Sequence, residues 1–463
     1  ASAFYEGRNL IVEAGTGVGK SLAYLIPAAM FGLTNNVRIL VSTNTINLQQ
    51  QLLEKDLPLV QKALDNCGFE NHASLRFSIQ KGRSNYLCFK RWTRLRSNPN
   101  ISKEDGRFLG KTLSWMQREC SGDKSDIYLD PAESLVWEKT SAQGNLDCPI
   151  FSGPCFLRAS RERAEGSHIV VVNHALLLSD VKHHGSLLPD YDYLIIDEAH
   201  HLEDEVTRQF GLTISQRQFS EIYDKIIGTR GLVAESSLIL RSILNTNSRK
   251  ESIEYAQRNL LQLVELNESA SKALFDEITK FMGQLEGPDP EFRSQFIISS
   301  EVRQMTAWKV IAHLSEKTAL DLQRLLEGLS RFRNSLESLS SEDSTFADGI
   351  CSETNVVSEE ITQIQAVIIQ MLLNPDDQMV YWFEQIDVGG FSIHAAPLNV
   401  RDILNEYLFQ EKRSVILTSA TLGVQGNFDS IQQNLGLRDA DTLSLDSPFD
   451  YKRSALLCIP KDI

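Results

Sequence analysis

The sequence predicts an α/β fold built on one parallel sheet. Six short apolar and β-branched runs alternate, in several places, with segments whose apolar residues have helical spacing, and this alternation is typical of a parallel sheet with helices on its faces. A glycine-rich turn follows the first run, and an acidic pair ends the fifth run. The predicted strands are 10–13, 37–43, 75–80, 168–173, 193–197 and 415–419.

Length, composition and charge limit the classes of protein to consider. A chain of 463 residues exceeds the ~250–300 residues that one hydrophobic core serves, so we predict two or three domains. The hydrophobic fraction of 42% is ordinary for a water-soluble protein, and the longest apolar runs are far too short to cross a bilayer core of ~30 Å. The net charge of −15 argues against a protein that coats nucleic acid by bulk charge, so a nucleic-acid site would be a local patch.

The first residues and the cysteines indicate the compartment. Residues 1–9 lack the basic start, apolar stretch and cleavage site of an export signal, and the first residue is Ala1 rather than methionine. Seven cysteines at scattered spacings do not resemble the dense disulfide framework of a small secreted domain. We therefore expect a cytoplasmic fragment of a longer protein, without a membrane segment.

Two long insertions interrupt the predicted sheet. The first contains four cysteines and a strongly basic stretch, and the second is rich in Leu, Glu and Ser with apolar residues at helical spacing. We predict a sheet domain in three parts, a cysteine-containing insertion, a helical insertion and the start of a further domain. In chain order these are 1–81 (sheet), 82–166 (cysteine insertion), 167–201 (sheet), 202–378 (helical insertion), 379–446 (sheet) and 447–463 (next domain).

The segment LIVEAGTGVGKS, at 10–21, joins a predicted strand to a predicted helix through a glycine-rich turn. Glycine tolerates positive φ, so the backbone N–H groups of such a turn can converge on phosphate oxygens. In the phosphate-binding loop pattern, Lys20 contacts the β- and γ-phosphates and the hydroxyl of Ser21 binds Mg²⁺. Ala14 stands where the pattern usually has glycine, and the alternative is a glycine-rich surface turn. The predicted nucleotide-binding residues are Gly15, Thr16, Gly17, Val18, Gly19, Lys20 and Ser21.

An acidic pair, Asp197 and Glu198, ends the fifth apolar run in the segment YLIIDEAH. Ligands of open α/β sheets lie at the carboxyl ends of the strands, so this pair is expected beside the glycine-rich loop. There Asp197 would hold Mg²⁺, and Glu198 would orient and deprotonate an attacking water. Without a phosphate-binding loop, such a pair would more often begin a solvated loop. Together with Lys20, the pair predicts a site that binds and hydrolyses ATP with Mg²⁺.

Six sequence blocks carry a resemblance to a known family. They read VEAGTGVGKSLAYLIPA, KGRSNYLC, VVVNHALL, IIDEAHHLED, HAAPLNV and VILTSATL, in this order. The DEAH block after a phosphate-binding loop resembles superfamily 2 helicases, and the whole series is similar to DinG-type helicases, relatives of XPD. The resemblance spans nearly the whole chain and is weak across 202–378. It implies a RecA-like sheet domain with an iron–sulfur-type insertion and a helical, arch-like insertion.

The resemblance also implies roles for residues outside the nucleotide loop. His200 would act in catalysis and, with Ser419, Ala420 and Thr421 of the TSAT block, would couple the nucleotide state to the grip on DNA. Three further residues would lie along a bound nucleic-acid strand. The alternative for such Ser, Thr and Asn residues after strands is that they are helix caps or turn formers. The strand-binding residues are Thr43, Asn173 and His174.

The activity implied by the resemblance is that of an ATP-dependent helicase, which moves 5′→3′ along single-stranded DNA and separates duplexes. The implied cofactors are ATP, Mg²⁺ and a [4Fe–4S] cluster, and the implied partners are single-stranded DNA, duplex junctions and RNA–DNA hybrids. In this family a second RecA-like domain follows the TSAT block, so we expect this chain to lack that domain and to hydrolyse ATP weakly. The alternatives are a hybrid-specific helicase, an ATP-gated module that binds nucleic acid without unwinding it, and a metalloprotein without motor activity.

Four cysteines, Cys88, Cys120, Cys148 and Cys155, lie in the first insertion. The resemblance implies that their thiolates hold the [4Fe–4S] cluster. DinG relatives have a cysteine a few residues before the position of Cys148, whereas 142–147 contains none here. Cys120 would replace that ligand and departs most from the family pattern. A tetrahedral Zn²⁺ site uses the same four thiolates, and an insertion without metal is the third alternative.

The stretch 81–118 carries ten basic and two acidic residues, a local charge of +8, with aromatic residues between them. Such a mixture suits single-stranded nucleic acid, because bases stack on aromatic rings while cations follow the phosphates. The alternative is a solvated helix face whose aromatic residues are buried. The aromatic residues are Tyr86, Phe89, Trp92, Phe108 and Trp115.

Overall fold

A computed structural model describes residues 1–15, 17–97, 101–118, 120–143, 154–242, 247–285, 295–337, 344–386, 390–423, 427–449 and 458. They form two compact units. The first unit comprises 1–143, 154–210 and the chain from 399 onward, and the second comprises 211–398.

Strands and helices alternate along most of the first unit, and the second unit is mainly helical. The strands are β1 (Asn9–Ala14), β2 (Ile39–Thr43), β3 (Phe77–Ile79), β4 (Ile169–Asn173), β5 (Tyr193–Asp197), β6 (Leu212–Ser215), β7 (Gln295–Ile297), β8 (Met379–Ile386), β9 (Gly390–Pro397), β10 (Ser414–Ser419) and β11 (Ala440–Leu445). The helices are α1 (Ser2–Glu6), α2 (Lys20–Asn35), α3 (Ile46–Gln51), α4 (Leu57–Asn66), α5 (Phe89–Arg96), α6 (Lys103–Met116), α7 (Pro131–Thr140), α8 (Phe156–Glu165), α9 (His174–Lys182), α10 (Leu202–Phe210), α11 (Gln216–Ile227), α12 (Leu232–Ser242), α13 (Asn247–Leu285), α14 (Ser300–Gln304), α15 (Thr306–Glu337), α16 (Ser344–Ile368), α17 (Val400–Leu404) and α18 (Asp429–Leu435).

The first unit is built on a seven-stranded sheet in the order β11-β1-β10-β5-β2-β4-β3. Every neighbouring pair in this sheet is parallel. The predicted α/β class is therefore confirmed, and each of the six predicted strands overlaps an observed one. The predictions did not include β11, which forms one edge of the sheet; five of its six residues are exposed, so it lacks an apolar run.

The central strands are buried on both faces, as the continuous apolar runs predict. Successive side chains of a strand point to opposite faces, and Ile195 and Ile196 of β5 accordingly belong to different hydrophobic clusters. Leu40 and Val41 of β2 alternate in the same way. Each such fully buried side chain contributes about 1.5–3 kcal/mol through removal of apolar surface from water. The two clusters cover the two faces of the sheet, and the loops of the candidate site extend from its strands.

The second unit contains α11 to α16 and a four-stranded antiparallel sheet in the order β6-β9-β8-β7. One hydrophobic cluster, with Phe219, Leu325 and Phe383 among its members, forms its core. The sequence predicts a helical insertion over 202–378, after which the chain rejoins the sheet domain at 379. In the structure the hairpin of β8 and β9 instead belongs to the second unit, and α10 belongs to the first. Antiparallel pairing with β6 gives this hairpin a partner inside the unit.

One helical run, Ala347–Leu373, is long and apolar enough to cross a membrane by length and composition alone, which is weak support for a membrane span. Several of its apolar residues, including Ile350, Ile361 and Ile368, are fully buried in the core of the second unit. Packing of one face against that core accounts for their apolar character.

Candidate nucleotide-binding site

The candidate site lies where the parallel strands of the first unit end. The loop after β1 carries the glycine-rich turn, and the acidic pair follows from the end of β5. The strands align these ends, because Thr418 of β10 pairs with Asp197 and Ser419 pairs with Glu13 of β1. The carboxyl edge of a parallel sheet is where ligands of such folds bind.

The glycine-rich turn has the backbone conformation that a phosphate cradle needs. Gly17 and Gly19 have φ of 88° and 77°, in the left-handed region that a side chain disfavours. Gly19 is the N-cap of α2 and offers no side chain to its first N–H groups. Those groups and the positive end of the helix dipole therefore suit an anion. Gly15 and Val18 lie in the same turn, Ser21 is the second residue of α2, and Thr16 is outside the described residues.

Lys20, the first residue of α2, contacts both members of the acidic pair. Its Nζ lies 2.9 Å from Asp197 Oδ1 and 2.5 Å from Glu198 Oε1. Burial by itself would lower the pKa of Lys20, yet the two carboxylates outweigh it and raise that pKa. Burial raises the pKa of Asp197, and Lys20 opposes that shift. The hydroxyl of Tyr24, one turn along α2, donates to Asp197 Oδ2 at 3.0 Å.

The DEAH and TSAT blocks meet through side-chain hydrogen bonds. His200 Nδ1 lies 2.6 Å from the hydroxyl oxygen of Ser419, and that hydroxyl lies 3.5 Å from Glu198 Oε2. The backbone N–H of Thr421 donates to the same hydroxyl at 3.5 Å, and Ala420 lies between these residues. Burial lowers the pKa of His200, and His201 adds to the shift. Glu198 has φ of 54°, a strained conformation for a residue with a side chain.

Two parts of the site were not predicted from the sequence. The first is Glu13 of β1, whose carboxylate accepts backbone N–H groups of Leu422 and Gly423 just after the TSAT block. The second is the segment after β11, which lies against the phosphate loop; a Cβ atom at Gly17 would come 2.1 Å from the ring of Phe449. Both contacts join residues more than 400 positions apart, and no local pattern indicates them.

The three residues predicted to line a nucleic-acid strand have different surroundings. Thr43 and His174 are fully buried, and His174 Nδ1 lies 2.7 Å from the hydroxyl oxygen of Ser42. In this conformation neither side chain reaches a ligand in solvent. The side chain of Asn173 accepts from the N–H of Leu176 and caps α9, which agrees with the alternative assignment as a helix cap.

The cysteine-bearing segments converge on Gly122 in the first insertion. Cys120 Sγ accepts from the N–H of Gly122, whose carbonyl accepts from the residue before Cys88. Phe156, the residue after Cys155, packs so closely on Gly122 that a Cβ atom there would come 2.0 Å from it. Cys148 lies outside the described residues. Within the described part of the chain, no group of three or more Cys, His, Asp or Glu side chains could hold a metal ion.

The basic and aromatic stretch forms a small core instead of a stacking surface. Tyr86, Trp92 and Phe108 are buried, and Phe89 and Trp115 pack partly buried against the local cluster. The interpretation of these rings as a platform for bases is therefore not supported, and the alternative of buried aromatic residues describes them.

Acidic residues from outside the stretch neutralise part of its charge. Three of the basic residues form ion pairs with such residues, so the charge counted along the chain overstates the charge at the surface. The pairs are Lys81 with Asp123, Arg107 with Asp130, and Lys111 with Glu133.

The fold and the site together define a P-loop nucleotide-binding protein, with an acidic pair facing the loop lysine. A family model described as DEAD/DEAH box helicase matches residues 1–75. The chain is 29% identical to the ATP-dependent DNA helicase YoaA of Escherichia coli, over 100% of this chain and 64% of that protein. It is 28% identical to the 3′-5′ exonuclease DinG of Bacillus subtilis, over 100% of this chain and 49% of that protein. The predicted resemblance to DinG-type helicases is thereby confirmed.

Two further comparisons cover nearly the whole of this chain. The ATP-dependent helicase DinG of Mycobacterium tuberculosis is 28% identical, over 99% of this chain and 64% of that protein. A solved structure of an XPD helicase aligns with 96% of this chain and 60% of its own length, at 12% identity and a TM-score of 0.47. The chain thus spans between 49% and 64% of the length of these curated relatives.

Buried His174 predicts a pH dependence of stability. Burial lowers the pKa of His174 to about 4, below the ~6.5 of an unfolded chain. A depressed histidine pKa stabilises the fold above pH ~6.5, and this contribution is lost as pH falls toward the folded-state value. Lowering the pH from 7 to 5 should therefore reduce the free energy of unfolding of the wild type by about 2 kcal/mol more than that of a His174→Gln variant. Urea unfolding at both pH values measures the difference, and an identical pH dependence of both proteins would contradict it.

Proposed function

We propose that the chain is the motor part of an ATP-dependent DNA helicase, which couples ATP hydrolysis to movement along single-stranded DNA and to separation of duplexes. The observation that carries this proposal is the contact of Lys20 with both Asp197 and Glu198 beside a phosphate-binding turn. Similarity over 99–100% of this chain to proteins named DinG and YoaA helicases supports the assignment to nucleic acid. This chain spans 49–64% of the length of those relatives, so the activity is proposed for the whole protein.

In the proposed reaction, phosphates of ATP replace carboxylates as the partner of Lys20. The N–H groups of the turn and the first turn of α2 bind the phosphate oxygens, while the Ser21 hydroxyl and Asp197 would hold Mg²⁺. Glu198, released from Lys20, accepts a proton from the water that attacks the γ-phosphate. Mg²⁺ itself supplies neutralisation of the developing phosphate charge when it is bound.

We further propose that the DEAH and TSAT blocks transmit the state of the nucleotide. Ser419 bonds to His200 and also approaches Glu198. Glu198 is the residue that the γ-phosphate would displace from Lys20. A change at Glu198 therefore alters the partners of Ser419, which starts the turn after β10. By resemblance to DinG-type helicases, a second RecA-like domain would complete the cleft with arginines, a contribution of ~10³–10⁵ in rate where such residues are measured.

The details of the substrate are also proposals. By resemblance, the protein would translocate 5′→3′ on single-stranded DNA, act at duplex junctions and accept RNA–DNA hybrids. A strand-separation assay with the full-length protein, using 5′-tailed and 3′-tailed duplexes of each kind, distinguishes these cases. Binding of DNA without strand separation in ATP would instead favour an ATP-gated binding module.

For the first insertion, we propose a [4Fe–4S] cluster held by Cys88, Cys120, Cys148 and Cys155. Convergence of three of the four segments on Gly122 supports it, since a glycine there permits their close approach. Among the described residues, Cys88, Cys120 and Cys155 do not form a ligand set, so metal binding would have to reorganise them. Coupling of metal binding to local folding is usual in sites assembled from distant residues. The cluster would join the segments and stabilise the insertion, as Zn²⁺ would in the alternative.

Substitution of the site lysine tests the proposed nucleotide chemistry. Lys20→Ala in the full-length protein should abolish ATP hydrolysis and leave DNA binding largely intact, because it removes a phosphate contact. Glu198→Gln keeps the size of the side chain but cannot accept the proton from water, so it should bind ATP without hydrolysing it. Steady-state ATPase assays and nucleotide binding to both variants measure this. Unchanged hydrolysis in Lys20→Ala would contradict the assignment of the phosphate loop.

Metal analysis tests the cluster. Protein purified without oxygen should be brown, absorb broadly near ~400 nm and contain about four irons per chain. Cys155→Ser should remove the colour, whereas Cys67→Ser, at an exposed cysteine outside the insertion, should not. Colourless protein with stoichiometric zinc would favour the zinc alternative. Retained iron in Cys120→Ser would show that the fourth ligand lies elsewhere.

A further inference from the structure

Glu13 lies between β10 and β11 and shortly before the phosphate turn. It is the fifth residue of β1, where it pairs in register with Ser419 of β10 on one side and with Ser444 of β11 on the other. Gly15, two residues later, begins the phosphate turn. The backbone of β1 therefore links Glu13 directly to the phosphate turn.

The carboxylate of Glu13 binds the turn that leaves β10. Its Oε2 accepts the backbone N–H of Leu422 at 2.8 Å and that of Gly423 at 2.6 Å, and its Oε1 accepts from the hydroxyl of Ser444 at 3.3 Å. Leu422 and Gly423 lie outside any helix or strand, so Glu13 supplies acceptors that regular structure does not. Burial alone would raise the pKa of Glu13, but the hydrogen bonds from Gly423, Leu422 and Ser444 together outweigh it and lower that pKa.

At its other end, the same turn contacts His200 and Glu198. Ser419, where the turn starts, bonds to His200 and approaches Glu198, as described above. Residues 419–423 are thus attached to the acidic pair at one end and to the phosphate-loop strand at the other. A Cβ atom at Gly423 would lie 3.1 Å from the carbonyl oxygen of Asn427 and 3.5 Å from Glu13 Oε2. The bond to the Gly423 N–H therefore forms in a tight space.

We propose that Glu13 is a positioning residue for ATP hydrolysis, which holds the 419–423 turn at a set distance from the phosphate loop and so places the Ser419 hydroxyl against His200 and Glu198. The role requires reach more than charge, because one carboxylate oxygen accepts both N–H groups. It deepens the proposed function and rests on it. Glu13 contacts neither nucleotide phosphates nor the attacking water in this scheme, and it acts through Ser419.

Two conservative substitutions of Glu13 in the full-length protein separate reach from charge. Glu13→Gln keeps an oxygen at the same distance, and its amide can donate to Ser444, so kcat should stay within about threefold of wild type. Glu13→Asp keeps the charge but is one methylene too short, so kcat for ATP hydrolysis should fall about tenfold with little change in KM. Glu6→Ala, at an exposed carboxylate on α1, is the control and should match wild type.

A combination with Ser419→Ala tests the route of the effect. If Glu13 acts through Ser419, Glu13→Asp should not reduce kcat further in the Ser419→Ala background, whereas a general loss of structure would reduce kcat in both backgrounds. Thermal melting of each variant reports folding independently. Equal activity of Glu13→Asp and wild type, a larger loss in Glu13→Gln than in Glu13→Asp, or additive losses with Ser419→Ala would overturn the proposal. Wild-type protein no more active than Lys20→Ala would instead refute the proposed ATPase function.

Discussion

The pairing of the Lys20 ammonium group with the carboxylates of Asp197 and Glu198 organises the candidate site. Lys20 and Asp197 have only 17% and 8% of their side chains exposed, and a charge in such a place is costly without a partner. The parallel sheet provides that partner, because it aligns the end of β5 with the helix that starts after β1. Tyr24 donates a further hydrogen bond to Asp197, and Glu198 accepts one from Lys20. An incoming phosphate can replace the carboxylates with little change of geometry, since the lysine is already in place.

The buried half of the fold follows from sequence patterns. Strands β2, β4, β5 and β10 are covered on both faces, so each one reads as an uninterrupted apolar run. The edge strand β11 escapes this pattern because its residues are exposed and include Asp, Thr and Ser. The residues of the β8–β9 hairpin were predicted to belong to the sheet domain, whereas they lie in the second unit, because the sequence does not show which sheet a strand joins.

The candidate site likewise contains residues that sequence motifs predict and residues that they do not. Lys20 and the acidic pair were predicted together, because each belongs to a local motif whose spacing reflects phosphate chemistry. Glu13 and Phe449 were not, since their roles depend on contacts across more than 400 residues. Motif membership also overstated the accessibility of Thr43 and His174, which end or follow strands but face the interior. The charged and aromatic residues of 81–118 likewise show only the composition of that stretch. Tertiary packing decides which of their side chains are exposed.

Mg²⁺ dependence of nucleotide binding tests the central claim, that Asp197 and Lys20 form one Mg²⁺–nucleotide site. Calorimetric titration of the wild type with a non-hydrolysable ATP analogue should give one site per chain, with binding at least about tenfold weaker without Mg²⁺. In Asp197→Asn, which removes the carboxylate ligand and its repulsion of the phosphates, the affinity should be nearly the same with and without Mg²⁺. A variant that keeps the full Mg²⁺ dependence of the wild type would contradict this account.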